Sequence, residues 1–269
     1  MSPMMLSRGL ALILLVIGPA ARAADVTVTL RSRVEAFKGT GEWREVALQQ
    51  SLAVDHTAVL ICDMWDKHWC SGATGRVNEL VTRMAPFVDA ARKRGFQIIH
   101  APSETMDFYR DTPERQKMLA LARIFPPAPL TLADPPLPID DKGGGCDTPD
   151  HFFKAWTREH AGIHIDASDV ISDNGDEIYS FLRARDIRTL LVMGVHTNMC
   201  ILNRTFAIKR MTSLGIRCIL VRDLTDAMYS PQDPPHVSHA AGTQLVIEHI
   251  EKYWCPTATS GDLLRSFSK

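Results

Sequence analysis

The sequence predicts an α/β protein of three layers, in which helices cover both faces of a doubly wound, mostly parallel sheet. Two observations support this prediction. Short apolar runs of the kind found in buried strands alternate along the chain with longer stretches whose apolar residues recur at helical spacing. Such alternation is typical of βαβ units, whose crossover helices pack on the two faces of a parallel sheet.

The N-terminus has the composition of a secretory signal peptide over residues 1–23. Arg8 is basic, residues 10–17 are apolar, and Ala-Arg-Ala at 21–23 is a small-residue cleavage site. An uncleaved N-terminal membrane tether is the alternative. No later stretch approaches the ~20 apolar residues of a spanning helix. We therefore expect residues 24–269 to be exported, to the periplasm or out of the cell, as one domain with no membrane partner.

Composition and charge favour small-molecule chemistry. The 269-residue chain has 30 basic and 31 acidic residues, so its formal net charge is −1. Because the two signs are interspersed, the sequence lacks the basic footprint of a protein that binds nucleic acid or an anionic membrane. Hydrophobic residues make up 45% of the chain, which suffices for one core. We expect a small-molecule substrate, and a homo-oligomer is compatible with the sequence.

The first half of the chain supplies two central strands and a long helix. Residues 25–34 alternate as in an edge or peripheral strand, and residues 57–62 form a continuous apolar run of the type covered on both faces. Residues 77–94 carry apolar side chains at helical spacing and are followed by Gly95, a helix stop. Residues 96–99 give the next strand.

The second half repeats the alternation. An apolar run ends at Gly194 and a helix is expected from Cys200 onwards. Residues 217–221 predict a further strand, and residues 237–253 predict an amphipathic helix.

Residues 124–150 interrupt this order. They contain Pro-Pro-Ala-Pro, Pro-Pro-Leu-Pro and Gly-Gly-Gly-Cys-Asp, which are too rich in proline and glycine for a strand or a helix. We interpret the segment as a long surface insertion that acts as a lid or an oligomer contact. A disordered linker between two domains is the alternative.

The stretch around Cys200 predicts a nucleophile. It follows a strand and a turn, and Thr197 or Asn198 can cap the helix that begins there. Cys200 then lies in the first turn, where free backbone amides and the positive end of the helix dipole favour thiolate over thiol. The plain alternative is a buried structural thiol.

Several reactive side chains follow the predicted strands, and in a doubly wound sheet ligands bind beyond the carboxyl ends of the strands. These residues are Asp63, His100, His196, Cys200, Asp223 and Asp226. A carboxylate at Asp63 can take the thiol proton and return it to a leaving group. The alternatives are that Asp63 ends its strand by bonding a neighbouring helix and that the histidines are packed core residues. We expect Asp223 and Asp226 to cap and brace loops.

Two motifs resemble those of a known family. Gly-Val-His-Thr-Asn-Met-Cys at 194–200 is similar to the nucleophile motif of the isochorismatase-like cysteine hydrolases, the superfamily of nicotinamidases and N-carbamoylsarcosine amidohydrolase. Leu-Ile-Cys-Asp at 60–63 resembles its strand with the catalytic aspartate. In order of elements the resemblance extends over residues 55–250. It implies a Rossmann-like sheet reordered around a central first strand.

The resemblance also implies roles for individual residues. Cys200 is the implied nucleophile and Asp63 the implied base. The Val195–His196 peptide is implied to be cis, so that the backbone amides of His196 and Cys200 form an oxyanion hole.

One departure from the family concerns its catalytic lysine, which precedes the strand that leads to the cysteine. Here no lysine occurs between Lys154 and Lys209, and the expected place falls near residue 166. Lys67 and Arg158 are our candidates for the missing cation, although an arginine cannot shuttle a proton and could supply charge only.

A second departure follows Asp63, where family members usually have any residue and then glutamine. Residues 64–70 here contain two tryptophans among charged residues, a mixture too polar and too aromatic for a core turn. We expect this loop to line the pocket. The predicted pocket residues are Trp65, His68, Trp69, His100 and Asn198.

The sequence defines neither a metal site nor the pairing of the cysteines. Asp66, His68 and His100 could hold a divalent metal, but their spacing does not match the nicotinamidase ligand set, so we expect no metal and no other cofactor. Among the six cysteines, the bridge candidates in an exported chain are Cys70, Cys146 and Cys255.

The predicted function is that of a cysteine-dependent hydrolase, which cleaves a small amide or related C–N bond through a thioester acyl-enzyme. One alternative is vinyl-ether hydrolysis of an isochorismate-like acid, which needs acid–base groups and no thiol. The other is a catalytically inactive small-molecule-binding protein on the same scaffold, which the missing lysine suggests.

Overall fold

A computed structural model describes residues 25–267, and the predicted signal peptide lies outside them. The strands of the described chain are β1 (Val26–Glu35), β2 (Trp43–Leu52), β3 (Thr57–Cys62), β4 (Gln97–Ala101), β5 (Val170–Ile171), β6 (Thr189–Val195), β7 (Arg217–Asp226) and β8 (Thr257–Ala258). Its helices are α1 (Ser71–Arg94), α2 (Met106–Tyr109), α3 (Pro113–Leu119), α4 (Gly175–Ala184), α5 (Cys200–Asn203), α6 (Ile208–Ser213), α7 (His239–Tyr253) and α8 (Ser260–Phe267).

The strands form one sheet in the order β2-β1-β8-β7-β6-β3-β4-β5. Neighbouring strands from β8 to β5 are parallel, whereas β1 runs antiparallel to β2 and to β8. The predicted mostly parallel sheet is therefore confirmed. Strand β2 was not predicted, because its side chains are mostly exposed and form no apolar pattern.

Side chains of β3 alternate between two cores, which explains its continuous apolar sequence. Leu60 and Cys62 pack against residues of α4, α5, α6 and α7 on one face, and Val59 and Ile61 pack against α1 and α8 on the other. Helices therefore cover both faces, and the three-layer architecture is confirmed. Within residues 25–267, no helix is long and apolar enough to cross a membrane.

The helix expected from Cys200 is broken, which corrects the sequence prediction. Arg204 is extended, with φ −60° and ψ 152°, and separates α5 from α6. The chain is held there by α4, because the Gly175 backbone N–H donates to the Thr205 hydroxyl at 3.1 Å. A Cβ at Gly175 would lie 2.1 Å from the Thr205 carbonyl oxygen, so this close packing requires glycine.

The irregular insertion is longer than predicted and spans residues 120–169, apart from an isolated bridge between Trp65 and Glu159. A disulfide joins Cys146 to Cys70, the residue before α1. The remaining bridge candidate, Cys255, is a buried free thiol, so its predicted candidacy is wrong. The insertion is thereby attached directly to the start of α1.

The disulfide predicts a defined thiol count. Cys62, Cys200, Cys218 and Cys255 are free, so titration with Ellman's reagent in denaturant should detect four thiols before reduction and all six cysteines after it. A Cys146→Ser variant should expose one additional thiol, that of Cys70, without reductant. Six thiols in the unreduced wild-type protein would contradict the bridge.

Candidate active site

The candidate active site lies at the carboxyl edge of the sheet, where β3 and β6 end side by side. Cys62 and Gly194 are paired in register, so Asp63 and the segment that leads to Cys200 leave the sheet together. A Cβ at Gly194 would lie 2.0 Å from the Cys62 carbonyl oxygen. Only glycine allows the two strands to approach this closely at their ends.

Asp63 is fully buried, and both of its carboxylate oxygens are bonded. The backbone N–H of Ser103 donates to Oδ1 at 2.7 Å, and Nε of Arg204 donates to Oδ2 at 2.9 Å. The Cys200 thiol also lies within the electrostatic influence of this carboxylate, whose negative charge raises the pKa of the thiol. The structure thus brings the two implied catalytic residues together and adds a cation to them.

Arg204 is this cation, which corrects the two candidates taken from the sequence. Lys67 is exposed, and the exposed Arg158 extends its guanidinium over the Phe108 ring, 5.3 Å from the ring centroid. Neither side chain forms an ion pair with Asp63 among residues 25–267. Arg204 forms this ion pair. It lies one helical turn after Cys200, so it reaches the same carboxylate.

A sequence signal for Arg204 existed. Residues four apart on a helix face the same side, and the Arg204 backbone N–H donates to the Cys200 carbonyl oxygen at 3.1 Å. The sequence analysis instead searched the place where the family carries its lysine. Two further contacts position the guanidinium: Glu104 lies 3.6 Å from Nη1, and the Trp65 ring centroid lies 5.9 Å from Cζ.

The protonation of this group differs from the sequence expectation of a thiolate. Burial raises the pKa of Cys200 and the negative charge of Asp63 raises it further, whereas the positive charge of Arg204 lowers it. Burial also raises the pKa of Asp63, and Arg204 opposes that shift. The four-residue α5 begins after Met199, which makes no side-chain cap, so the predicted cap from Thr197 or Asn198 is wrong. These shifts favour a neutral thiol at Cys200 instead of the predicted thiolate.

One backbone feature that the resemblance implied is present near the sulfur. The Val195–His196 peptide is cis, and the His196 backbone N–H lowers the pKa of the Cys200 thiol. The His196 ring is buried and meets the His68 ring edge-on, with centroids 4.9 Å apart. Its Nε2 has no hydrogen-bond partner among the described residues. Burial lowers the pKa of His196 to about 3, so the ring is neutral.

Aromatic rings form a wall beside Asp63. Trp65 is buried, donates its indole N–H to the Ser103 carbonyl oxygen at 3.1 Å, and stacks on Trp156 at 4.5 Å between centroids. His68 stacks on the same pair, 5.8 Å from Trp156. Trp156 was not among the predicted pocket residues, because it lies in the insertion and no local pattern links it to Trp65.

His68 is a neutral ring with a defined tautomer. Burial, together with the positive charge of Arg76, lowers the pKa of His68 to about 4. Its Nδ1 accepts a hydrogen bond from the Cys70 backbone N–H at 3.1 Å, so the ring proton is on Nε2. The predicted pocket residue Trp69 packs beside it, with ring centroids 5.4 Å apart.

A cleft of about 510 Å³ opens beside Cys200. It is lined by Leu137, Asp141, Asn198, Met199, Cys200, Asn203, Arg204 and Lys209. Of the predicted pocket residues, Asn198 lines this cleft, whereas the predictions for Trp65, His68 and Trp69 are wrong, because their rings pack against one another and against Trp156. Asn198 is largely buried and braces this cleft: its Nδ2 donates to Asp141 Oδ2 at 2.8 Å, and its Oδ1 accepts from the Met228 backbone N–H at 2.8 Å.

His100 does not line the pocket, which corrects the prediction for this residue. It is fully buried and lies between Glu159 at 2.7 Å and Asp169 at 3.1 Å. Burial lowers its pKa, but the charge of Glu159 and the hydrogen bonds to both acids outweigh burial and raise the pKa to about 9. His100 is therefore a buried cation that anchors the segment carrying Trp156.

The remaining acids at this edge have bracing roles. Asp223 accepts from both the backbone N–H and the hydroxyl of Ser260. Asp226 is bonded by His239 Nε2 at 2.8 Å and Arg76 Nε at 2.9 Å.

Asp66, His68 and His100 are not gathered into a metal site. Asp66 accepts from the Thr157 backbone and hydroxyl, and His100 is enclosed by its two acids. Within residues 25–267, the group with metal-like spacing is Cys70, Cys146 and Asp150, in which the two sulfurs are joined in the disulfide.

Known structures share this fold. The chain is similar to a cysteine hydrolase from Pseudomonas syringae pv. phaseolicola 1448A, with 18% identity and a TM-score of 0.52 over 81% of this chain and 94% of that one. An isochorismatase from Pseudomonas putida KT2440 matches with 16% identity and a TM-score of 0.47 over 77% and 90%. No family model matches the chain, and no curated protein matches its sequence. The resemblance stated from the motifs is confirmed for the fold.

Replacement of Arg204 should slow alkylation of Cys200. The positive charge of Arg204 lowers the pKa of Cys200, so Arg204→Met should raise that pKa and reduce the thiolate fraction at a given pH by about tenfold or more. Mass-spectrometric rates of iodoacetamide labelling at Cys200 across a pH series measure this shift. Arg204→Lys should retain much of the labelling rate, and Arg158→Met is the matched control. An unchanged profile for Arg204→Met would rule out this role.

The buried His100 predicts a pH-dependent stability. Its folded-state pKa of about 9 exceeds the ordinary value of 6.5, so its stabilising effect is fully present below pH 6.5 and is lost as the pH rises through about 9. His100→Gln should cost about 3–5 kcal/mol near pH 6 because it leaves the buried Glu159 without its cation, whereas Asp169 keeps its ion pair with Arg92. Urea unfolding of both proteins across this pH range tests the effect. A destabilisation that does not shrink toward pH 9 would contradict a cationic His100.

Proposed function

We propose that this protein is a cysteine-dependent hydrolase that cleaves a small amide or related C–N bond through a thioester. The observation that supports the proposal is the group of Asp63, Cys200 and Arg204, in which the charges of a buried carboxylate and of the guanidinium bonded to it both act on the thiol. Such a group moves a proton from sulfur to oxygen without any change in its net charge. A structural thiol has no need of this arrangement.

The first half of the reaction forms the acyl-enzyme. Asp63 takes the thiol proton as the Cys200 sulfur attacks the substrate carbonyl carbon, and the carbonyl electron pair moves onto oxygen. The backbone amides of His196 and Cys200 stabilise this oxyanion. When the intermediate collapses, the C–N bond breaks and Asp63 gives its proton to the departing nitrogen.

The second half regenerates the enzyme with water. Asp63 takes a proton from a water molecule that attacks the thioester carbonyl, the C–S bond breaks, and the proton returns to sulfur as the carboxylic acid leaves. Arg204 transfers no proton, because an arginine stays protonated at these pH values. Its charge instead balances the thiolate while Asp63 is neutral, so Asp63 is the proton carrier in both halves.

The contacts of Cys200 favour this function over the two alternatives. Vinyl-ether hydrolysis needs an acid but no nucleophilic sulfur, and it leaves the Cys200–Asp63 contact without a role. The inactive binding protein was suggested by the absent lysine, and Arg204 supplies the positive charge that appeared to be missing.

Export is part of the same proposal. The Cys70–Cys146 bridge supports it, since disulfides form and persist mainly in oxidising compartments. Residues 1–23 have the sequence of a signal peptide.

An acyl-enzyme should be detectable by intact mass. Brief incubation with p-nitrophenyl acetate should add one acetyl group to Cys200, because an activated ester acylates faster than the thioester hydrolyses. Cys200→Ala should abolish this adduct and should reduce ammonia release from a panel of small primary amides by at least about a thousandfold. Peptide mapping locates the acetyl group.

Cys218→Ala is the matched control, since this thiol is also free and is buried in β7. It should leave both readouts intact. Acetylation that persists in Cys200→Ala, or amide turnover that survives it, would falsify the nucleophilic role.

A further inference from the structure

The cleft beside Cys200 is built in part by the insertion. Leu137 and Asp141 belong to the irregular segment 120–169, and they face a cleft whose other residues come from the nucleophile region. The insertion therefore contributes side chains to the space that a substrate must occupy.

The two cations of this cleft already have carboxylate partners. Arg204 bonds Asp63, as described above. Lys209 lies 2.7 Å from an oxygen of Asp134 and 5.2 Å from the centroid of the Trp254 ring. Neither cation offers a charge that is free to select an anionic substrate.

Asp141 differs from these two charged residues of the cleft, because it has no partner of opposite charge in the described part of the chain. Its carboxylate accepts one hydrogen bond, from the neutral amide of Asn198 at 2.8 Å, and it forms no ion pair with any residue between 25 and 267. The side chain is only half-buried. A carboxylate that is partly removed from water and has one neutral partner gains free energy from a cation beside it.

Asp141 is also held in a fixed position relative to the nucleophile. Asn198 is two residues before Cys200, and both its oxygen and its Nδ2 bond the Met228 backbone, the Nδ2 at 3.1 Å. The Gly144 backbone N–H donates to the Asp141 carbonyl oxygen at 2.9 Å. The carboxylate is thus oriented before any ligand arrives, which lowers the cost of binding.

We propose that Asp141 is a specificity-determining residue that selects substrates with a cationic group, an ammonium or a guanidinium, on the acyl part. This rests on the proposed hydrolase function, since it identifies the substrate class of the same site. The substrate's cation pairs with Asp141 at one part of the cleft, and its amide carbonyl lies at Cys200. Neutral and anionic amides of the same shape lack this ion pair or are repelled.

Three amides test the proposal, and each has two methylene groups between its carbonyl carbon and its terminal group. β-Alaninamide is cationic, butyramide is its neutral isostere, and succinamate is anionic. We expect the wild-type enzyme to hydrolyse β-alaninamide with a kcat/KM at least about tenfold above that for butyramide, with succinamate the poorest, as for a charge-assisted hydrogen bond in a partly desolvated site. Two further pairs of a cationic amide and its neutral isostere have one and two more methylene groups: 4-aminobutyramide with pentanamide, and 5-aminovaleramide with hexanamide. They test longer distances between the cationic group and the amide carbonyl.

Asp141→Asn removes the charge and keeps an oxygen that can accept from Asn198, so the cleft retains its local bonding. The ratio of cationic to neutral kcat/KM should fall to within about threefold of unity. Asp140→Asn is the matched control: it makes the same charge change one residue away, at a side chain that lies outside the Cys200 cleft and 3.9 Å from Lys142. It should keep the wild-type ratio.

A binding readout separates this proposal from the hydrolase proposal. The cationic amides should protect Cys200 from iodoacetamide at lower concentrations than their neutral isosteres do, in the wild-type protein but not in Asp141→Asn. If protection is selective but no amide is hydrolysed, the proposed catalysis fails and the cation site stands. Equal protection by cationic and neutral amides at every chain length, or a preference that survives Asp141→Asn, overturns the cation site.

Discussion

The buried carboxylate of Asp63 is the group on which the rest of this site depends. A fully buried charge is costly unless it is paired and hydrogen-bonded, and here the Ser103 backbone amide and the Arg204 guanidinium provide those bonds. The first comes from the loop after β4 and the second from the end of α5, so a single acid fixes the relative positions of the β3 end, the Ser103 loop and α5. The same carboxylate raises the pKa of the neighbouring Cys200 thiol.

A second buried charge supports the aromatic wall. His100 extends from β4 between Glu159 and Asp169, and Glu159 lies in the short bridge that pairs with Trp65. Trp156, three residues earlier, stacks on that tryptophan. A histidine predicted from the sequence to line the pocket therefore acts at a distance, by holding the segment whose Trp156 stacks on Trp65.

The insertion changes the chemistry of the cleft and not only its shape. It is attached to α1 by the disulfide and by the ion pair between Asp147 and Arg76 at 2.6 Å. It also brings Asp141 into the cleft beside Cys200 through Asn198. One irregular segment can thus change the charge of a cleft while the sheet and its edge stay the same.

The sequence by itself determined the layered architecture and the position of Asp63 and Cys200 after neighbouring strands, because apolar periodicity and the strand ends that follow it are local properties of the chain. The helix break at Arg204 was not visible, since it results from packing against Gly175 in α4. Only the tertiary structure decided that Arg204, and not Lys67 or Arg158, is the cation beside Asp63. It likewise decided the burial of His100 and the stacking of Trp156 on Trp65. Each depends on contacts between residues far apart in the chain, and pKa values follow from such contacts and from burial, which no local pattern contains.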